Sequence, residues 1–122
     1  AAVLRRLRAL GVRIALDDFG AGHSSLALLG ELPLDEVKLD KRFGLRAPGD
    51  RRSAAIIRST ATLTRALDLP LVVEGVESPE TVALLLAPEV SSAQGYLFSH
   101  PLPSAEVAAF VRRSEARAAL LT

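Results

Sequence analysis

Four short apolar segments, each running out into polar residues and each followed by a helical stretch, constrain this chain more than any other feature. Val12 to Asp17, Leu34 to Asp40, Leu71 to Val73 and a stretch centred on Ala93 to Leu97 read as strands. A leading helix covers residues 1–10, with Val3, Leu4, Leu7 and Leu10 at helical spacing and Gly11 as its stop. Ser24 or Ser25 can cap a short helix through Leu29, ended by Gly30. Ser53 to Leu67 carries an apolar stripe of Ile56, Ile57, Leu63 and Leu67. Ser78 and Pro79 open a helix to Leu86 that Pro88 ends, and Ser104 starts the last helix, running towards Leu120. Lys41 to Arg52, with Gly44, Pro48, Gly49 and Asp50, is the longest predicted loop. Such alternation calls for a parallel sheet with helical crossovers. Four units make half of an eight-fold barrel, which needs roughly 250 residues, and would also suffice for a small doubly wound sheet.

The chain's 122 residues and 49% hydrophobic content allow one domain with a real core. Its net charge is +1, and the arginines are scattered along helices rather than gathered in a stripe, so nothing calls for a polymeric nucleic acid as partner. The absence of cysteine removes disulfides, thiolate nucleophiles and zinc–thiolate sites. No apolar run approaches the roughly 20 residues of a membrane span, and the N-terminus lacks a signal-peptide layout. The first residues read as the body of a helix with no cap before it, which leads us to expect a cut through a longer chain.

Polar residues fall at the strand ends. Asp17 and Asp18, Lys38 with Asp40, Glu74, and Gln94 sit at or just before the C-terminal ends of consecutive predicted strands, where parallel α/β folds bind ligands. Neighbouring strand residues point to opposite sides, so Asp17 and Asp18 converge on one site only if the strand breaks there, which Gly20 and Gly22 permit. The pair fits cation binding or acid/base work; the alternative is that the acids only cap a strand and start a turn. Hard oxygen ligands of this kind suit Mg²⁺ or Mn²⁺, and two cations roughly 3.5–4 Å apart stabilise a phosphoryl displacement. Lys38 can offset developing negative charge or orient a water, or simply pair with Asp40 or a neighbouring acid. Glu74 is a further metal or water ligand, whereas Glu77 better fits the electrostatics of a helix entry. Gln94, between Ala93 and Gly95, can reach water or substrate or make a structural hydrogen bond. His23 and His100 lie in predicted loops and fit surface roles.

Four ordered motifs carry a resemblance over nearly the whole chain. They are Asp17-Asp18-Phe19-Gly20-Ala21-Gly22-His23-Ser24-Ser25-Leu26, Leu34-Asp35-Glu36-Val37-Lys38-Leu39-Asp40, Val73-Glu74-Gly75-Val76-Glu77, and Gln94-Gly95-Tyr96-Leu97-Phe98-Ser99-His100-Pro101-Leu102-Pro103. Together they resemble the C-terminal half of the EAL family of cyclic di-GMP phosphodiesterases. The resemblance implies an α/β fold, the C-terminal half of a modified TIM barrel, with residues 1–122 as a partial EAL domain holding its last four strand-helix units. It implies Asp17 and Asp18 as metal ligands, with Asp18 also serving the attacking water. Lys38 stands beside that water, Glu74 near the metal centre, and Gln94 holds water or substrate. Phe19, Gly20, Gly22, Ser24 and Ser25 match a mobile loop coupling metal and substrate binding to dimerisation, and Glu77 and Gly95 belong to the same motifs.

The implied reaction is metal-dependent hydrolysis of one phosphodiester of cyclic di-GMP to the linear dinucleotide, with two Mg²⁺ or Mn²⁺ per intact site. The implied setting is a cytoplasmic homodimer, or the cytoplasmic part of a larger membrane-attached parent. Ala21 and His23 stand where the family usually has Thr and Tyr. The Glu-Ala-Leu segment, the substrate-binding arginine and the Glu-x-x-Glu strand belong to a half expected before Ala1, so the chain alone is expected to be inactive. A degenerate domain that binds cyclic di-GMP or a protein without hydrolysis is the alternative. A phosphoacceptor receiver fold is disfavoured, because Lys38 comes too early.

Overall fold

The computed structural model describes residues 1–22, 26–85, 90 and 92–121. Four parallel strands, β1 (Ala15–Phe19), β2 (Glu36–Leu39), β3 (Leu71–Val73) and β4 (Ser92–Ala93), form one sheet in the order β1-β2-β3-β4. The helices are α1 (Ala2–Ala9), α2 (Leu26–Glu31), α3 (Lys41–Arg46), α4 (Arg51–Ala66), α5 (Pro79–Leu85) and α6 (Ser104–Leu121). This is the α/β architecture expected for part of a TIM barrel. Among the described residues, no helix is long and apolar enough to cross a membrane.

Strand alternation sorts the sheet into two faces. Val37, Leu39, Leu71 and Val73 turn one way, in register as Val37↔Leu71 and Leu39↔Val73. They are sealed together with Ile57 and Ala61 of α4, and each of these six is no more than 2% exposed. Burying the valine, leucine and isoleucine side chains among them stabilises the fold by about 1.5–3 kcal/mol each. The other face carries Ala15, Asp17, Glu36, Lys38, Val72 and Glu74, of which only Val72 is buried. The core therefore lies between sheet and helices, and the polar residues lie on the opposite face.

Asp35 ties the leading helix to this layer. Its carboxylate accepts from the Ile14 amide and from the Arg8 guanidinium, both at 2.8 Å, while its own amide donates to the Ile14 carbonyl at 2.7 Å. The Ile14 hydrogen bond, followed by the Arg8 contacts, holds the Asp35 carboxyl below the ordinary range against the effect of desolvation. The α1 helix buries none of its residues fully, so this clip carries much of its attachment.

The structure corrects several boundaries. The predicted loop from Lys41 to Arg52 is instead α3, a 3-10 turn over Ala47–Gly49 and the start of α4. Asp40 makes this possible by capping α3, its carboxylate accepting from the Arg42 amide at 2.9 Å, and Asp50 does the same for α4 at 3.0 Å through Arg52. Gly30 lies inside α2 rather than ending it. The last strand is shorter than the stretch to Leu97. After Gln94 the chain turns away, with Leu97 donating to the Val76 carbonyl and Phe98 to that of Gly95, each at 3.1 Å. The first strand starts later than Val12 and continues past the acidic pair to Phe19. The predicted helix caps Ser24 and Ser25, with His23, and the end of α5 at Leu86 and Pro88 lie outside the described residues.

Candidate active site

The convergence of Asp17 and Asp18 rests on a bulge. Leu16 pairs with Val37 and Phe19 with Leu39, so β1 spends one more residue than β2 over the same span. Asp18 absorbs it in a left-handed conformation, φ +51°, and its amide donates to Asp17 Oδ1 at 2.9 Å. The ladder then resumes, with the Asp40 amide donating to the Phe19 carbonyl at 3.0 Å. The break falls on Asp18 itself, before Gly20 and Gly22. Aspartate is among the few side chains that tolerate this region, because its short polar group bonds locally.

Glu74 enters from two strands away, just past β3. Carboxylate oxygens of Asp17, Asp18 and Glu74 lie within 4.8 Å of one another. Beneath them Lys38 places its ammonium 3.0 Å from Glu74 Oε1. That hydrogen bond, reinforced by the charges of Glu74, Asp17 and Glu36, holds the Lys38 ammonium above the ordinary lysine range although partial burial works against it. Near neutral pH Lys38 is therefore a fixed positive charge, suited to offsetting negative charge rather than to taking a proton. Of the sequence alternative, a pair with Asp40 or a neighbouring acid, it is the neighbouring acid Glu74 that Lys38 meets, not Asp40. Asp40 binds the Arg42 Nε at 2.9 Å instead, and its two bonds from Arg42, with the Lys41 charge, outweigh burial and keep its carboxyl below the ordinary range.

The three carboxylates line one cleft of 490 Å³ at the C-terminal end of the sheet, whereas Lys38 is not among its lining residues and meets the cluster through Glu74. Asp17, Asp18, Glu74, Glu77, Gln94 and Gly95 all face it, together with Asp40, Lys41, Leu45, Gly75 and Tyr96. Glu77 is thus part of the cleft, and the entry to α5 is capped by Ser78, whose Oγ accepts from the Thr81 amide at 3.3 Å. The Gln94 backbone is fixed between strands, its amide donating to Val73 at 2.9 Å and its carbonyl accepting from Val76 at 3.1 Å, which leaves the side chain for the cleft. Phe19 is not there: it is 8% exposed and belongs to the core. Gly20 packs against the Phe43 ring and Gly22 is exposed. Ser24 and Ser25 lie outside the described residues.

The carboxylate donor set fits a hard divalent cation, with Asp17, Asp18 and Glu74 as the residues that would hold it. Sequence reasoning missed Lys41 and Tyr96 as residues lining the cleft. The Asp40-Lys41 step at the exit of β2 was a usable signal for a helix start beside the site; Tyr96 stacks on His100 with ring centroids 4.0 Å apart.

A model of the EAL domain matches residues 1–101. The cyclic di-GMP phosphodiesterase NbdA of Pseudomonas aeruginosa is 44% identical over 110 residues, 90% of this chain and 14% of that protein. The cyclic di-GMP phosphodiesterase RocR of the same organism is 49% identical over 100 residues, 82% of this chain and 26% of that protein. The EAL domain of Mycobacterium smegmatis DcpA superposes with a TM-score of 0.86 at 36% identity, over 92% of this chain and 50% of that one. Klebsiella pneumoniae BlrP1, in a manganese and cyclic di-GMP complex, superposes with a TM-score of 0.74 at 36% identity, over 82% of this chain and 26% of that one. The chain thus spans half or less of each of these four proteins. The four motifs, the half-barrel sheet and the domain match agree, and this chain belongs to the EAL domain family.

Proposed function

We propose that this chain contributes one half of the catalytic centre of a phosphodiesterase that hydrolyses cyclic di-GMP to the linear dinucleotide. The observation that carries the reading is the meeting of Asp17, Asp18 and Glu74 carboxylates within 4.8 Å, with the Lys38 ammonium on Glu74, in a family with relatives named for that activity. Asp17, Asp18 and Glu74 would hold Mg²⁺ or Mn²⁺, two ions once the rest of the shell is present. A bound divalent cation supplies Lewis-acid charge to the phosphoryl group under attack. Hydrolysis adds water oxygen to one phosphorus, breaks one ester bond, and delivers the water proton to the departing ribose oxygen. Lys38 offsets charge that builds on the phosphoryl oxygens. Asp18 and Gln94 orient the water and the diester, and Glu77 and Gly95 shape the cleft wall. Each of these assignments follows the family resemblance, together with the position of the residue on the cleft or, for Lys38, its contact with Glu74.

Three carboxylates on an open sheet face are too few for a two-ion shell, so we read the chain by itself as inactive and its activity as a property of the complete barrel. The loop after Asp18, beyond the buried Phe19 and through Ser25, is our candidate for the contact that makes a homodimer, and the cytoplasm is the compartment we assign. The test is cyclic di-GMP hydrolysis by the full-length protein with Mg²⁺ or Mn²⁺, comparing wild type with Asp17→Asn. Turnover that disappears in a folded variant supports the reading. Binding of cyclic di-GMP without turnover by wild type favours the degenerate, non-hydrolysing alternative.

A further inference from the structure

Gly44 sits in the middle of α3, where glycine costs about 1 kcal/mol relative to alanine. We infer that it is a positioning residue for Glu74: its lack of a side chain lets α3 rest directly on the Glu74 peptide, and this contact sets where the Glu74 carboxylate stands beside Asp17 and Asp18.

A Cβ built on Gly44 would overlap the Glu74 carbonyl oxygen and come within 3.1 Å of both the Glu74 and Gly75 carbonyl carbons. Every one of those atoms is backbone, so no rotamer change relieves the clash. The contact is reciprocal. A Cβ on Gly75, which holds φ +77°, would overlap the Lys41 carbonyl oxygen and meet Leu45 Cγ at 3.1 Å. Gly30 is the contrasting case, a helical glycine with open space around its missing Cβ.

The α3 side of the contact is held from several directions. Asp40 caps its first turn at 2.9 Å and is itself tied to Phe19 through its amide at 3.0 Å. The buried Thr81 hydroxyl of α5 donates a long 3.4 Å hydrogen bond to the Gly44 carbonyl. Glu74 lies beyond the end of β3 and has fewer ladder restraints. Extra volume at Gly44 is therefore relieved by moving residue 74, whose carboxylate has its partners within 4.8 Å and its ammonium neighbour at 3.0 Å. Residues that orient a metal ligand from behind typically govern metal affinity by 10- to 100-fold when altered.

The inference rests on the reading of Asp17, Asp18 and Glu74 as cation ligands. It is tested by Mn²⁺ binding to the full-length protein, counting free ion by electron paramagnetic resonance, with thermal melts alongside. Gly44→Ala is expected to weaken Mn²⁺ binding by about tenfold, whereas Gly30→Ala leaves it unchanged. In a Glu74→Gln background, Gly44→Ala is expected to add no further loss. A folded Gly44→Ala protein with wild-type Mn²⁺ affinity overturns the role, as does a full additional loss in the Glu74→Gln background. If Gly44→Ala does not fold, Thr81→Val carries the test: it removes the hydroxyl behind Gly44 at nearly constant volume, and reduced affinity supports the role while unchanged affinity overturns it. Mn²⁺ binding that Asp17→Asn leaves intact overturns the cation site itself, and Gly44's role with it.

Discussion

Lys38 Nζ lies 3.0 Å from Glu74 Oε1, a contact between neighbouring parallel strands that puts a permanent positive charge under a cluster of three carboxylates. The pair is only partly exposed, at 24% and 15% of the two side chains, so solvent screens it less than a surface ion pair. The ammonium offsets part of the repulsion around Glu74, while Asp17 and Asp18 are exposed to solvent.

Removing the ammonium should be more damaging to turnover than to folding. In the full-length protein, Lys38→Met is expected to lower kcat for cyclic di-GMP by about 100-fold or more, with a thermal melt close to wild type. Chromatographic detection of the linear dinucleotide measures it; wild-type turnover by the variant would remove Lys38 from the chemistry.

Asp18 performs two tasks that substitution can separate. Asp18→Asn keeps a side chain suited to φ +51° and should preserve the fold while losing Mn²⁺ affinity. Asp18→Val loses affinity and also forces a β-branched residue into the left-handed region, at a cost of about 1–2 kcal/mol. Denaturant melts beside Mn²⁺ titrations distinguish the two, and equal stability of both variants would show that the bulge does not depend on its residue.

Acid should loosen the attachment of α1. Asp35, held down chiefly by the Ile14 amide, and Asp50, held down chiefly by the Ser53 hydroxyl at 2.7 Å, both ionise more readily in the folded chain. A carboxyl with a depressed folded pKa stabilises the fold above its unfolded value, near 3.9, and the stabilisation disappears as pH falls through the folded value. Melting temperatures between about pH 2 and about pH 6 should therefore drop with acid, and Asp35→Asn should flatten that slope. An Asp35→Asn profile parallel to wild type would mean the clip contributes nothing.

The C-terminus of α4 offers a gain. Asp68 takes φ +56° just past the helix, with its amide donating to Arg65 at 3.0 Å and that of Leu69 to Thr64 at 2.8 Å, a Schellman ending in which glycine is the favoured residue. Asp68→Gly should stabilise the chain by about 0.5–1 kcal/mol. A lower melting temperature would count against strain at this position.

Much of this was legible because strand ends and turns are written in local chemistry. The parallel order of strands followed from apolar runs separated by helices, and the acids, Lys38 and Gln94 were identifiable as rim residues from their places in those runs. Two kinds of information were not local. The break in β1 was expected from Gly20 and Gly22, yet an aspartate supplies it, because the register of β2 dictates where the extra residue must go. Lys41 to Arg52 was predicted as loop from its glycines and proline, yet Asp40 and Asp50 each cap a helix, and Gly44 is needed for a neighbour 30 residues later in the chain. A glycine chosen for space rather than for φ looks the same in a sequence as one chosen for a turn.

The order of the strands has a consequence for biosynthesis. The sheet runs β1-β2-β3-β4, so each strand pairs with the one made just before it, and no strand must be inserted between two already paired. As the chain leaves the ribosome at about 5–20 residues per second, each new strand meets an edge that is already laid down. The longest crossover, from β2 to β3, holds α3, the 3-10 turn and α4, and because closure entropy grows only slowly with loop length even this step costs little more than the others. A sheet ordered in this way can grow at the pace of translation.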